Sequence, residues 1–174
     1  MLGDRARRCV TVTESGLPLK IDAAGAQVRI LVVDDHEPFR RLVASTLHER
    51  PNLQVIGEVQ DGLEAVHQAE ALQPDLILLD IGLPGLNGID AARRIGKHAP
   101  NTRIIFLTQE SSADVVREAF GLGAWGYVAK VQAGQELLLA VESVMQGKRF
   151  ISSGLDGHGG PGSFRAAPGD GGIT

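Results

Sequence analysis

At 174 residues the chain has the length of one ordinary domain, and 43% hydrophobic residues are enough to build a core for it. A net charge of −4 gives no basic face for non-specific nucleic-acid binding, so no nucleic acid is expected as a partner of this chain itself. The lone Cys9 excludes an internal disulfide framework and fits a reducing cytoplasm, and no apolar run approaches membrane-spanning length, so no membrane is expected either.

Residues 1–26 show no sustained period and are broken by Gly16, Pro18 and Gly25. They read as a flexible leader with room for one short strand at 10–13. Arg5, Arg7 and Arg8 are followed by too short an apolar stretch for a signal peptide. Val28-Arg29-Ile30-Leu31-Val32-Val33 is a β-branched run and predicts a strand that ends at Asp34-Asp35. Phe39, Leu42, Val43, Thr46 and Leu47 then recur at helical spacing, with Pro38 suited to a first turn and Pro51 beyond the end. A second strand is expected over Leu53–Val59. Asp61 caps the next helix, whose inward stripe reads as Leu63, Val66, Ala69 and Leu72, and Pro74 stops it.

Leu76-Ile77-Leu78-Leu79-Asp80 is a continuous apolar run into one carboxylate, as in a strand buried on both faces. A Gly- and Pro-punctuated loop follows, and a third helix starts at Asn87 or Gly88 with Ile89, Ala92 and Ile95 inward. Residues 103–107 predict a fourth strand ending at Thr108. Ser111-Ser112-Ala113-Asp114 fits a permissive capping box for the helix bearing Val115, Val116, Ala119 and Phe120. A fifth strand at 125–129 ends at Lys130. A last helix over 135–146 turns Leu138, Val141, Val144 and Met145 inward, with Gly147 as its stop.

Five strand–helix units in strict alternation predict an α/β fold: a doubly wound, flavodoxin-like (βα)5 domain with a parallel five-stranded sheet in the order 2-1-3-4-5. The domain is expected over 27–151. Residues 152–174 read as a Gly-rich tail or interdomain linker, with eight glycines between 154 and 172.

This order brings the ends of strands 1, 3, 4 and 5 to one rim. Asp34, Asp35, Asp80, Thr108 and Lys130 therefore converge, strands 1 and 3 being neighbours roughly 5 Å apart. Two carboxylates at ~5 Å repel by about 3 kcal/mol at an effective dielectric of ~20, which Lys130 offsets only in part. A hard cation with oxygen ligands and water, Mg2+, suits the remainder. An aspartate beside such an ion, an ammonium and a hydroxyl is equipped to take up a phosphoryl group. Singly, each residue has an ordinary explanation: a helix cap, a solvated lysine, a β-forming threonine. Their convergence at four strand ends is what carries the functional reading.

With Val32-Val33-Asp34-Asp35-His36, Leu79-Asp80-Ile81-Gly82-Leu83-Pro84-Gly85-Leu86-Asn87-Gly88, Leu107-Thr108 and Gly126-Tyr127-Val128-Ala129-Lys130, the chain closely resembles a response-regulator receiver domain (CheY-like) over about residues 28–151. The resemblance implies that a sensor histidine kinase or phosphotransfer protein phosphorylates Asp80. It implies that Asp35, Asp80 and the Gly82 carbonyl bind Mg2+, that Asp34 acts through water, and that Thr108 and Lys130 hold the phosphoryl group. Tyr127 would turn inward as Thr108 moves, changing the surface of helix 4, strand 5 and helix 5. Two departures stand out. Gln109, followed by Glu110, replaces the small residue usual after the threonine and is expected to modulate access to Asp80. Val131 stands where proline often follows the lysine, so no cis peptide is expected there.

The run 146–152 is similar to the end of receivers that precede a LuxR-type helix-turn-helix output, and no such output is expected within these 174 residues. A receiver cut at its domain boundary, or a natural truncation, is expected, with control of transcription as the output. The alternative is a stand-alone or degenerate receiver that signals by protein contact. A Mg2+-dependent phosphohydrolase lacks a second acid placed as general base, and Asp34-Asp35 would repel a flavin phosphate. Leu137-Leu138-Leu139-Ala140-Val141 is apolar around more of helix 5 than a core stripe needs. It suits either packing under the leader or a homodimer through helix 5 with helix 1 or helix 4.

Overall fold

A computed structural model describes residues 26–109 and 112–153. Along the chain these form β1 (Val28–Val33), α1 (Glu37–His48), β2 (Leu53–Val59), α2 (Gly62–Leu72), β3 (Leu76–Asp80), α3 (Gly88–His98), β4 (Arg103–Thr108), α4 (Ala113–Gly121), β5 (Gly126–Ala129), α5 (Ala133–Met145) and β6 (Phe150–Ile151). The strands pair in the order 2-1-3-4-5-6, and every pairing is parallel. The first five follow the expected order. The sixth is an addition: Phe150–Ile151 pairs with Gly126 and Tyr127, and Ser152 N donates to Tyr127 O at 2.9 Å.

The central strands have no polar face because the sheet is covered on both sides. Side chains alternate between the two layers. Leu31, Val33, Ile77, Leu79 and Phe106 pack with α2, α3 and α4, while Ile30, Val32, Leu76, Leu78 and Ile105 pack with α1 and α5. All five residues of β3 are buried, Asp80 among them.

The helices start where side chains satisfy the first free N–H groups. Asp61 accepts from Glu64 N, Asn87 from Asp90 N, and Ser112 from Val115 N. The cap of α4 is thus Ser112; Ser111, like the 10–13 stretch and the Gly-rich segment from 154, lies outside the described residues. In α1 the expected face is rotated. Arg40, Val43, Thr46 and Leu47 are buried, Phe39 is half-buried, and Leu42 is exposed. Leu63, expected inward on α2, is also exposed, since Ala65, Val66 and Ala69 fill that contact.

A 3-10 turn, Lys130–Gln132, leads into α5, which begins two residues earlier than expected. Val141 and Val144 are buried as read. Leu137 is the more buried neighbour of Leu138, and Leu139 is exposed. The anchored chain runs to Ser153, because Glu136 of α5 accepts hydrogen bonds from the Ser152 and Ser153 hydroxyls.

One glycine is needed to set the site. A Cβ on Gly88 would lie 2.1 Å from the Asp80 carbonyl oxygen, so only glycine lets α3 start against the end of β3. Among the described residues no helix is long and apolar enough to cross a membrane.

Candidate functional site: an acidic cleft at the strand ends

β1, β3, β4 and β5 stop at one rim because their register is staggered by no more than a residue there. Asp80 pairs with Leu107, and Thr108 with Ala129. Asp34 and Asp35 follow β1, Asp80 and Thr108 close β3 and β4, and Lys130 follows β5. Asp34, Asp80 and Thr108 are buried, whereas Asp35 is exposed. Carboxylate oxygens of Asp34, Asp35 and Asp80 all lie within 4.8 Å of one another.

Lys130 answers the two buried members. Its Nζ is 2.6 Å from Asp34 Oδ2 and 3.1 Å from Asp80 Oδ2. The ammonium also stands over the Phe39 ring, 4.8 Å from its centroid, so α1 supports it from below. Backbone donors hold the other oxygens: His36 N donates to Asp34 Oδ1 at 2.8 Å, and Gly82 N to Asp80 Oδ1 at 3.1 Å. Burial raises the Asp80 carboxyl above its ordinary value, and the hydrogen bond and charge of Lys130 only partly offset this. Burial pulls the Lys130 ammonium down, but Asp34 and Asp80 outweigh it and hold it above its ordinary value.

A cleft of about 400 Å³ opens over Asp80. Asp35, Asp80, Gly82, Thr108, Gln109 and Lys130, all expected from sequence, line it. His36 lines it as well and was not singled out; its place beside the Asp34-Asp35 pair is the signal that could have found it. Gln109 is exposed at the mouth, and Glu110 lies outside the described residues. Tyr127 is not part of the cleft. It is fully buried beneath it, in the layer with Phe106 and Phe120.

The donor set fits a hard divalent ion. It consists of oxygens and carries more negative charge than one lysine balances.

Residues 30–142 match the family of the response regulator receiver domain. The chain belongs to that family. The response regulator UvrY of Escherichia coli O6:H1 (strain CFT073) is 34% identical over 128 residues, covering 74% of this chain and 59% of that protein. The transcriptional regulatory protein LiaR of Bacillus subtilis (strain 168) is 35% identical over 130 residues, covering 75% of this chain and 62% of the relative. A crystal structure of a LuxR-family two-component response regulator from Aurantimonas sp. SI85-9A1 superposes with a TM-score of 0.71 at 33% identity, covering 74% of this chain and 92% of that one. Phosphorylation and Mg2+ are general for the receiver family. The match spans about three-fifths of the length of the curated relatives.

Proposed function

We propose that this receiver accepts a phosphoryl group on Asp80 from a sensor histidine kinase or a phosphotransfer protein. The observation that carries the reading is the placement of the Asp80 carboxylate in an open cleft between Lys130 and Thr108. Asp34 is held by His36 N but does not line the cleft. Asp80 closes the central strand β3, lines the cleft, and has Oδ1 held in the same way by Gly82 N. That bond fixes the carboxylate's orientation, which sets the attack direction on a donor phosphorus. Lys130 remains beside the developing negative charge and neutralises it. The Thr108 hydroxyl donates to a phosphoryl oxygen once it is in place.

Asp35, Asp80 and the Gly82 carbonyl would hold Mg2+, with Asp34 acting through water. When bound, the ion supplies charge neutralisation for the transferred oxygens. Gln109, at the mouth, would set donor access and phosphate lifetime, and Glu110 next to it belongs to the same assignment.

Phosphorylation adds about −1.5 to −2 charges and three acceptor oxygens. Drawing Thr108 and Lys130 toward them would shift β4 and β5. Tyr127, expected to turn inward as Thr108 moves, is already buried, so its part in the switch would be a repacking within the layer of Phe106 and Phe120. Moving a switch from mostly off to mostly on takes roughly 5 kcal/mol, within reach of a few charge-assisted hydrogen bonds. The changed α4–β5–α5 surface would be the output. It would act in the cytoplasm through a transcription-controlling domain beyond the 27–151 receiver unit, with 1–26 as leader and 152–174 as linker. The exposed Leu42 on α1 and Leu139 on α5 support homodimer contacts through α1 and α5.

Incubation with acetyl phosphate and Mg2+ followed by intact mass is the test. One adduct of about 80 Da is expected, absent in Asp80→Asn. No adduct on the wild-type chain would overturn the proposal.

A further inference from the structure

Arg40 is the one charged residue of α1 that is buried, and it sits on the face that periodicity would assign to an apolar side chain. Its guanidinium turns back toward the strand end. Nη1 donates to the Asp34 backbone oxygen at 2.7 Å, and Nε is 3.6 Å from Glu58 Oε2 on β2. Nε itself is buried without a hydrogen bond, so the side chain is not placed there by full satisfaction of its donors. A buried cation with an unused donor is costly. Its burial against the Asp34 carbonyl, with Glu58 as its one acidic partner, calls for a local return.

That return is the geometry of the acidic loop. Asp34 is tied at every polar group: its N donates to Val59 O at 3.1 Å, its O accepts from Arg40, Oδ1 accepts from His36 N, and Oδ2 faces Lys130. Asp35 follows directly and is exposed, so its carboxylate direction is inherited from the Asp34–Asp35 peptide. Arg40 grips the carbonyl of that peptide. Glu58 balances the guanidinium charge and anchors it to β2, which limits the field that Arg40 casts on the cleft. Arg combines a fixed planar fork with a permanent charge, which a lysine point charge does not reproduce.

We infer that Arg40 is a positioning residue for the metal-binding loop: by holding the Asp34 carbonyl, it aims the Asp35 carboxylate at the cation site beside Asp80. The inference rests on the phosphoacceptor reading above. It separates two effects of opposite sign. Loss of a nearby positive charge alone would strengthen cation binding, whereas loss of the aimed peptide would weaken it.

The test is a MgCl2 titration of the full chain, unphosphorylated, followed by the backbone amide shifts of His36 and Gly82. Arg40→Met is expected to raise the Mg2+ dissociation constant at least fivefold. Arg40→Lys should recover part of the loss, and Glu58→Gln, which keeps the carbonyl bond, should stay within twofold of wild type. If Arg40→Met does not fold, Arg40→Gln takes its place. Tighter binding in the neutral variant, or a lowered melting temperature with an unchanged dissociation constant, overturns the positioning role. Wild-type amides unmoved by Mg2+ would overturn the cation site as well, whereas a responsive wild type with an equally responsive Arg40→Met would overturn Arg40 alone.

Discussion

Asp80→Asn is expected to make the metal-free protein more stable. Each aspartate pair in the cluster lies within 4.8 Å, so at an effective dielectric of ~20 it costs about 3 kcal/mol, while the Lys130–Asp80 pair at 3.1 Å returns about 5 kcal/mol. Asp35 is exposed, so water screens its share of the repulsion. Attraction and repulsion on Asp80 then nearly cancel, and the burial of its charge decides the balance. That is the physical meaning of its raised pKa: the folded state holds the proton on Asp80 more tightly than the unfolded chain does. Neutral asparagine removes this penalty, and a gain of about 1–2 kcal/mol, or roughly 3–8 °C in melting temperature, follows. The sign with pH is fixed. A raised folded-state pKa means that wild-type stability attributable to Asp80 recovers as pH falls from neutral through that pKa, so the gap between the two proteins should close toward pH 4. Thermal melts of both proteins in EDTA from pH 7.5 to 4 measure it. A less stable Asp80→Asn at neutral pH would refute the reasoning and make the Lys130–Asp80 pair a net support of the fold.

Gln109→Ala should speed phosphorylation by acetyl phosphate several-fold while leaving the melting temperature unchanged, as read by time-resolved intact mass, because Gln109 is an exposed side chain at the cleft mouth. Gly88→Ala should cost about 3 kcal/mol in urea denaturation, since its Cβ would meet the Asp80 carbonyl at 2.1 Å and α3 would have to shift. Glu136→Gln should speed amide exchange at Ser152 and flatten the acid limb of the stability curve. Burial pushes the Glu136 carboxyl up, but the Ser152 and Ser153 hydrogen bonds outweigh it and hold its pKa below the ordinary value. Its contribution is therefore present above pH 4.5 and lost as pH falls through the lowered value, with a total under about 1 kcal/mol because water screens the group.

The strand ends were legible because β1, β3 and β4 are long apolar runs that stop at a polar residue, and parallel alternation leaves few ways to arrange them. The cluster of Asp34, Asp35, Asp80, Thr108 and Lys130 followed from that order alone. Arg40 was not legible. Helical periodicity weighs a cation as outward-facing, and only the fold reveals the backbone carbonyl waiting for it beneath α1. The same bias placed Leu42 inward. Two residues, Phe150 and Ile151, are too few to announce a strand, so β6 is a product of tertiary pairing. Leu63 went astray because alanines at 65 and 69 bring α2 close enough to fill its contact without it.

The short sixth strand also bears on self-association. A parallel sheet ending at β5 would offer the unpaired groups of Gly126 and Tyr127 to any neighbouring chain. Phe150–Ile151 covers them with the protein's own backbone, and the Glu136 contacts with Ser152 and Ser153 keep that cover closed. A version ending before Phe150 would bare an apolar sheet edge beside the strand that leads to Lys130. Its solubility, before its chemistry, is where the loss would first be felt.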